Sequence, residues 1–418
     1  MNESRSSSSA PPHDGETVAP EAVATFLVRL GKALHTYGTP SHRTEDALTR
    51  VARRLGVRGQ FLVTPTSILG SFGEDDAQIT RLARVDAGET DLRKLTQLHQ
   101  VIRDVFAGTL GIRAASAAVD EIQAAPPAYG PLLAWLAFAA TSAAAARFFD
   151  GGVAEILASA GAGAAIGLLN IVGSERPRLT RLLPVLSGMV AALLAGVLAA
   201  THGVFAPIVI LASLIVLLPG LTLTVAMNEL ALNHVVSGTA RMTAATVTFL
   251  ELAFGVALGS EIARRVAGIV TVPAAPSHLP EWTVAPALAV AALSLTVLFR
   301  ARIHDALLIL LMATIAFATA RLGTGAFGPE LGAGLGALGL GVAANAASRW
   351  LDQPTAIALL PALLLLVPGS LGFRSLQALL ADDVVGGIES LFTMAIVAVA
   401  LVSGLLVANL LVIPRRLL

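Results

Sequence analysis

Apolar runs long enough to cross a bilayer, or nearly so, begin at residue 131. They recur at about 131–149, 153–173, 182–200, 204–226, 240–260, 283–299, 305–320, 328–348, 354–372 and 391–413. Before residue 131 the pattern is different. Val23, Phe26, Leu27, Leu30 and Leu34 recur at helical spacing over 21–37, and Gly38 ends that helix. Thr39 as N-cap, with Pro40 at the first helical position, predicts a second helix to about Leu55 that turns Ala47, Leu48, Val51 and Leu55 inward. Gln60–Pro65, Thr66–Phe72 and Ala77–Val85 are short and contain β-branched residues, with a Gly-Glu-Asp-Asp turn at 73–76, which predicts a small antiparallel sheet. Helical spacing returns over 90–108 and 113–123. The expected fold is a polytopic α-helical membrane protein of ten transmembrane helices, preceded by a small cytosolic α+β domain at 21–125. A Ser-, Pro- and acid-rich tail at 1–20 is expected to be disordered.

Charge follows the same division. Residues 1–128 hold 14 of the 28 basic and 15 of the 28 acidic residues. The chain is 55% hydrophobic, 13% charged and of zero formal net charge, which excludes a disordered chain, a fibre and a nucleic-acid binder driven by charge. It has no cysteine, so disulfides, thiolate metal sites and cysteine nucleophiles are excluded. No Walker, HExxH or GxSxG motif occurs, so ATP-driven transport and hydrolysis lack support, and neither an enzyme, a cofactor nor a metal is predicted. The Gly334–Gly339 match to G-x-G-x-x-G follows no strand and lies inside an apolar run, where small residues suit helix packing. The first twenty residues lack a leader's apolar segment, so the N-terminal domain is expected to stay in the cytoplasm. With the N-terminus inside, nine arginines fall in inner loops or the C-terminus and five in outer loops, so both termini are expected to be cytoplasmic.

The chain also repeats. Residues 214–242 align without a gap on 363–391 at an offset of 149, placing Pro219-Gly220 on Pro368-Gly369, Val235-Val236 on Val384-Val385 and Gly238 on Gly387. Two five-helix halves, 129–265 and 282–413, follow. With an odd number of spans per half, the second inserts upside down relative to the first. Each Pro-Gly should break its span, because proline removes a backbone donor and clashes with the preceding turn. Pro219, Gly220, Pro368 and Gly369 are therefore gating or binding candidates. The polar residues trailing the breaks join them: Asn228, Glu229 and His234 after the first, Arg374, Asp382, Asp383 and Glu389 after the second.

Glu251 lies near the middle of an apolar span, where a carboxylate is costly unless protonated, paired or facing water. It is the first candidate for proton coupling, with Asp382 and Asp383 behind it. Glu155 and Glu330, at span ends, read as interface residues, and Asn170 and Asn345 as interhelical links. In the N-terminal domain His35, His42, Arg43, Glu45 and Asp46 cluster at the start of the second helix. An acid/base or metal site is conceivable there. The plainer reading, acids favoured by the helix dipole and an arginine paired with a neighbour, outweighs it.

YGTPSHRTED (37–46), VTPTSI (63–68), TRLARV (80–85), DLRKLTQLHQVIRDVFAG (91–108) and LLPGLTLTVAMNEL…SGTAR (217–241) together resemble the threonine/serine exporter family over roughly residues 20–413. Gly38, Arg43 and Glu45 match its pattern. The resemblance implies export of threonine and serine driven by the proton motive force, and membrane halves that also occur as separate chains. Two-chain relatives are linked to dicarboxylate, chiefly succinate, export. The expected function is a proton-coupled antiporter of small amino acids in the bacterial inner membrane. Its partners are threonine or serine, protons and the bilayer, with no nucleic acid; a homo-oligomer is compatible with the sequence. The alternatives are a dicarboxylate exporter, and a membrane-anchored sensor or enzyme acting through the cytosolic domain.

Overall fold

Leucine and phenylalanine at three- and four-residue spacing make α1 (Pro20–Thr36) amphipathic, and Phe26, Leu27, Leu30 and Leu34 are all buried. In this computed structural model, residues 20–73, 78–85, 88, 90–174, 176–267, 278–366, 369–380 and 383–414 are described. The tail at 1–19 and residues 74–76 of the turn at 73–76 therefore lie outside the described residues. Gly38 adopts φ +104°, a conformation open to glycine, and turns the chain into α2 (Ser41–Arg54). The predicted cap is corrected here. Pro40, not Thr39, is the N-cap: the Gly38 turn, closed by the Thr39 N–H on the Leu34 carbonyl at 3.0 Å, starts the helix one residue later, and proline has no side-chain acceptor to cap it.

Strands β1 (Gly59–Thr64), β2 (Ser67–Phe72) and β3 (Ile79–Arg84) pair antiparallel in that order, with Val63 opposite Ile68 and Ile68 opposite Ala83. Alternation buries Ile68, Gly70 and Phe72 on one face. Gly31 of α1 packs there so closely that a Cβ would lie 3.3 Å from Ile68. Asp91 caps α3 (Leu92–Ala107) through the Lys94 N–H at 2.9 Å, Gly108 ends it in the left-handed region, and α4 (Ile112–Ala124) follows.

Beyond residue 130 the chain is helical. The order is α5 (Pro131–Phe148), α6 (Val153–Ser174), the single turn α7 (Pro177–Thr180), α8 (Leu183–His202), α9 (Ala206–Leu214), α10 (Gly220–Ala231) and α11 (Val235–Ala267). Then come α12 (Val284–Leu298), α13 (Ala306–Phe327), α14 (Pro329–Leu351), α15 (Thr355–Leu363), α16 (Gly369–Leu380) and α17 (Val384–Leu411). Among the described residues eight helices are long and apolar enough to cross a membrane. The fourth and ninth apolar runs are each two short helices, α9 with α10 and α15 with α16, rather than single spans. Both pairs match in bounds at an offset of 149. Proline explains the first break: Pro219 ends the irregular stretch after α9 and leads into Gly220. Pro368 lies outside the described residues.

Small residues set the packing of the long helices. A Cβ at Gly255 would run into the Val185 carbonyl, and one at Gly188 into the Leu252 carbonyl, so α8 and α11 approach backbone to backbone. Contacts Val185–Gly255, Met189–Gly259 and Gly196–Ala263 rise together in number, so the two helices run parallel. In the second half α14 and α17 meet in the same sense through Gly334–Ala400 and Gly341–Ala408. One apolar core is continuous from Phe26, Leu48 and Leu98 of the N-terminal region into Ala292, Ala301, Ile309, Ile357 and Leu360 of the apolar helices. Burial of each large member stabilises by about 1.5–3 kcal/mol, so that region is docked rather than tethered.

Candidate functional site

The docking uses three junctions between helices of the apolar region. The Leu92 and Arg93 N–H groups donate to the carbonyls of Phe299 (3.0 Å) and Arg300 (3.2 Å), and the Tyr129 hydroxyl to that of Ala301 (2.6 Å). Arg103 pairs with Asp352, between α14 and α15. The third junction, between α10 and α11, is the most polar. Glu229, fully buried, accepts from the Ser41 N–H at 2.9 Å and from Arg241 Nε at 3.1 Å. Ser237 Oγ donates to the Val63 carbonyl at 2.9 Å. Glu45 accepts from the Val63 N–H at 2.7 Å and lies 3.5 Å from His234 Nδ1, whose ring centre is 5.7 Å from that of His42.

Two groups of candidates that the sequence keeps apart are therefore one cluster: His42 and Glu45 from α2, Glu229 and His234 from the α10–α11 junction. His35 is close by, 3.3 Å from the Pro65 carbonyl. Burial is the main cause that depresses both histidines, His42 to about 3 and His35 to about 4, with Arg43, His234 and Arg241 adding to the first and Arg241 to the second. Both rings are neutral at physiological pH. Burial raises Glu45 above its ordinary range, opposed by the Val63 N–H and His234. Asp46 is exposed and outside the cluster.

Next to this cluster lies a cavity of about 360 Å³. The turn before α2 (Thr39, Pro40) and the first turn of α2 (His42, Arg43) form one wall. The others are α10 (Thr224, Asn228), α14 (Asn345), α15 (Thr355, Leu359, Leu363) and α17 (Leu405, Asn409). His42 Nδ1 and Thr355 Oγ1 are buried there with no hydrogen-bond partner among the described residues. Apolar walls with a few convergent polar groups suit a small polar molecule. The two broken runs meet close by: a Cβ at Gly369 would lie 3.3 Å from Gly220 Cα, and Thr224, one turn beyond Gly220, lines the cavity. Thr224 Oγ1 donates back to the Gly220 carbonyl at 3.1 Å within the first turn of α10.

The other candidates are placed elsewhere. Glu251 is half-buried in mid-α11, on the face that exposes Val247, Phe254 and Leu258, and makes no hydrogen bond or ion pair among the described residues. Asp383 is exposed and caps α17, accepting from the Gly386 N–H at 3.0 Å. Asp382 lies outside the described residues. Arg374 is far from the cavity, its guanidinium 5.6 Å from the Phe149 ring centre. Glu155, read from sequence as an interface residue, is buried and accepts from the Gly152 and Phe205 N–H groups at 2.9 and 3.0 Å. Asn345 links α14 to α17, as expected of an interhelical amide, donating to Asn409 Oδ1 and the Val412 carbonyl at 2.9 Å each. Ser41, Thr355 and Ser237 were not singled out by sequence reading, and Arg241 only as a loop charge; their roles depend on contacts across the fold with no local signature.

Long apolar helices, two broken runs meeting at their breaks, and a cavity beside them with apolar walls and a few polar groups define a multi-pass membrane protein of the transporter class. A family model described as "Putative threonine/serine exporter" matches residues 25–263, and one described as "Threonine/Serine exporter, ThrE" matches residues 285–411. The chain belongs to this threonine/serine exporter family. Among curated proteins it is similar to Pheromone-regulated membrane protein 10 of Debaryomyces hansenii, 28% identical over 57% of this chain and 24% of that one. The protein of the same name from Saccharomyces cerevisiae strain YJM789 is 30% identical over 57% of this chain and 31% of its own. The matched region thus spans about a quarter to a third of these relatives. No solved structure matches the chain.

Proposed function

We propose that the protein is a secondary exporter of threonine and serine, working as a proton antiporter in the inner membrane of a bacterium, with both termini in the cytoplasm. The observation that carries this reading is the meeting of the two breaks at Gly220 and Gly369 beside a cavity with unmet polar groups. A broken helix offers N–H groups to a carboxylate and freed carbonyls to an ammonium, the two ends of an amino acid. Asn228, Thr355 and His42 supply further hydrogen-bonding groups at the wall.

Inverted five-helix halves, 129–265 and 282–413, fit the direction of the broken runs. The end of α10 and the start of α15 both face the N-terminal region, the first through Glu229 and the second through the cavity wall. The two runs therefore cross in opposite senses. The N-terminal region touches the α10–α11, α12–α13 and α14–α15 junctions, which ten crossings place on one side. We assign proton coupling first to Glu251, whose carboxylate lacks a partner among the described residues at bilayer depth.

The test is flux in proteoliposomes under an imposed pH gradient, with threonine, serine and succinate in the same assay. Threonine and serine should move with the gradient, and Asn228→Ala and Thr355→Val should each slow them roughly tenfold, the effect of about 1.4 kcal/mol of lost binding. Glu251→Gln should abolish the response to the gradient and spare exchange. Movement of succinate alone, or of none of the three, overturns the reading.

A further inference from the structure

A second pocket, of about 310 Å³, lies at the other end of the broken runs. It is bounded by Phe149, Phe205, Pro207, Leu211, Arg374 and Gln377. Its place is fixed by chain direction: Phe149 follows the end of α5 and Phe205 precedes α9, whereas the N-terminal region docks near the start of α5 and the end of α10.

The lining has an internal logic. Phe205, Pro207 and Leu211 stand 149 positions before Pro354, Ala356 and Leu360 of the inner cavity, and Arg374 and Gln377 stand 149 positions after its Val225 and Asn228. Five lining positions therefore correspond under the repeat. The outer pocket is the inner cavity built by the opposite halves, at nearly the same volume. It differs where the chemistry lies. Arg374 replaces Val225, bringing a permanent cation, and Gln377 replaces Asn228 with a longer amide. No acidic side chain among the described residues pairs with Arg374, and the nearby Glu155 carboxylate already accepts two backbone N–H groups. The Phe149 ring beside the guanidinium favours the cation and limits its directions.

We infer that this outer pocket is a second substrate subsite, which takes the α-carboxylate of the outgoing amino acid on Arg374 and its ammonium on the Gln377 carbonyl oxygen. The inference rests on the exporter reading. The guanidinium fork matches a carboxylate bidentately, so the pocket selects small zwitterions over their amides.

The test uses the full chain in proteoliposomes of fixed orientation. It measures the half-saturating threonine for exchange on each side, for wild type, Arg374→Gln and Arg374→Lys, with threoninamide as competitor. Arg374→Gln should raise the outer half-saturating concentration roughly tenfold or more, Arg374→Lys should recover part of it, and the inner value should stay put. Threoninamide should compete weakly from outside and equally against wild type and Arg374→Gln. An unchanged outer value, an equal shift on both sides, or amide competing as well as threonine in wild type overturns the subsite. Absence of wild-type exchange instead overturns the exporter reading, and the assignment of this ligand with it.

Discussion

Replacing Glu229 by alanine tests the docking of the N-terminal region at its most buried polar contact. The Ser41 N–H is one of the four N–H groups at the start of α2 for which a helix has no acceptor. No side chain of its own segment caps it, and its acceptor is Glu229 Oε1, 188 residues away in sequence. The other oxygen holds Arg241, whose side chain is 20% exposed. Truncation strands a buried N–H and a partly buried cation. Loss of one hydrogen bond to a charged group costs about 1.5–3 kcal/mol. Removing one partner of a fully buried ion pair costs about 3–5 kcal/mol, but water can reach Arg241, so the lower end applies. About 3 kcal/mol corresponds to a roughly 100-fold increase in local opening. Glu229→Gln keeps an acceptor for Ser41 and loses only the ionic part, for roughly a tenfold change. Hydrogen–deuterium exchange over residues 38–45 reads this directly, with α14 as an internal reference. If exchange at Ser41 in Glu229→Ala stays within about threefold of wild type, Glu229 does not cap α2 and the argument fails.

Docking should also weaken with acid. His35 and His42 are held to about 4 and about 3 in the folded protein, below the unfolded value of 6.5, so the unfolded chain binds more protons across that window. Stability of the N-terminal region should therefore fall as pH drops from 6.5 toward 4, partly offset by Glu45, and His42→Asn should flatten the dependence; thermal unfolding at pH 7 and pH 5 that coincides would contradict this. Gly255→Ala drives a Cβ into the Val185 carbonyl and should cost about 1–3 kcal/mol, whereas Gly161→Ala meets nothing within 4 Å and should be neutral or slightly stabilising. Equal melting temperatures for the two variants in detergent would count against close α8–α11 packing. Asn345→Ala removes both donations to the end of α17, at about 1–2 kcal/mol, and should speed proteolysis after residue 404.

What was legible in the sequence was local. Runs of apolar residues bound the helices, Pro219 marks a break, and the 149-residue register marks its counterpart, because proline and hydrophobic length act within one turn or one span. The site was half legible. Glu45, His42, Glu229 and His234 were each singled out, but no pattern joins residues almost two hundred positions apart, so their union was not. Asp383 looked like a candidate for moving protons and is placed as a cap, since a carboxylate before a helix satisfies either description until its acceptor geometry is known. Thr39-Pro40 carried the letters of a helix start, yet the helix begins one residue later with proline at the N-cap, which has no side-chain acceptor, and a distant glutamate takes the Ser41 N–H.

The two bonds from Leu92 and Arg93 to the carbonyls of Phe299 and Arg300 involve main chain alone. The clasp itself does not read side-chain identity, although Leu92 is buried in the core and Arg93 also donates to the Pro126 carbonyl, so alanine at these positions reports on packing rather than on the clasp. Proline at position 92 would delete one donor at a helix position that tolerates it, but it would also take a buried leucine out of the core. A clasp of this kind senses where the α12–α13 hairpin stands rather than what it is made of. A movement of that hairpin therefore reaches the N-terminal region as displacement, with no chemical messenger needed.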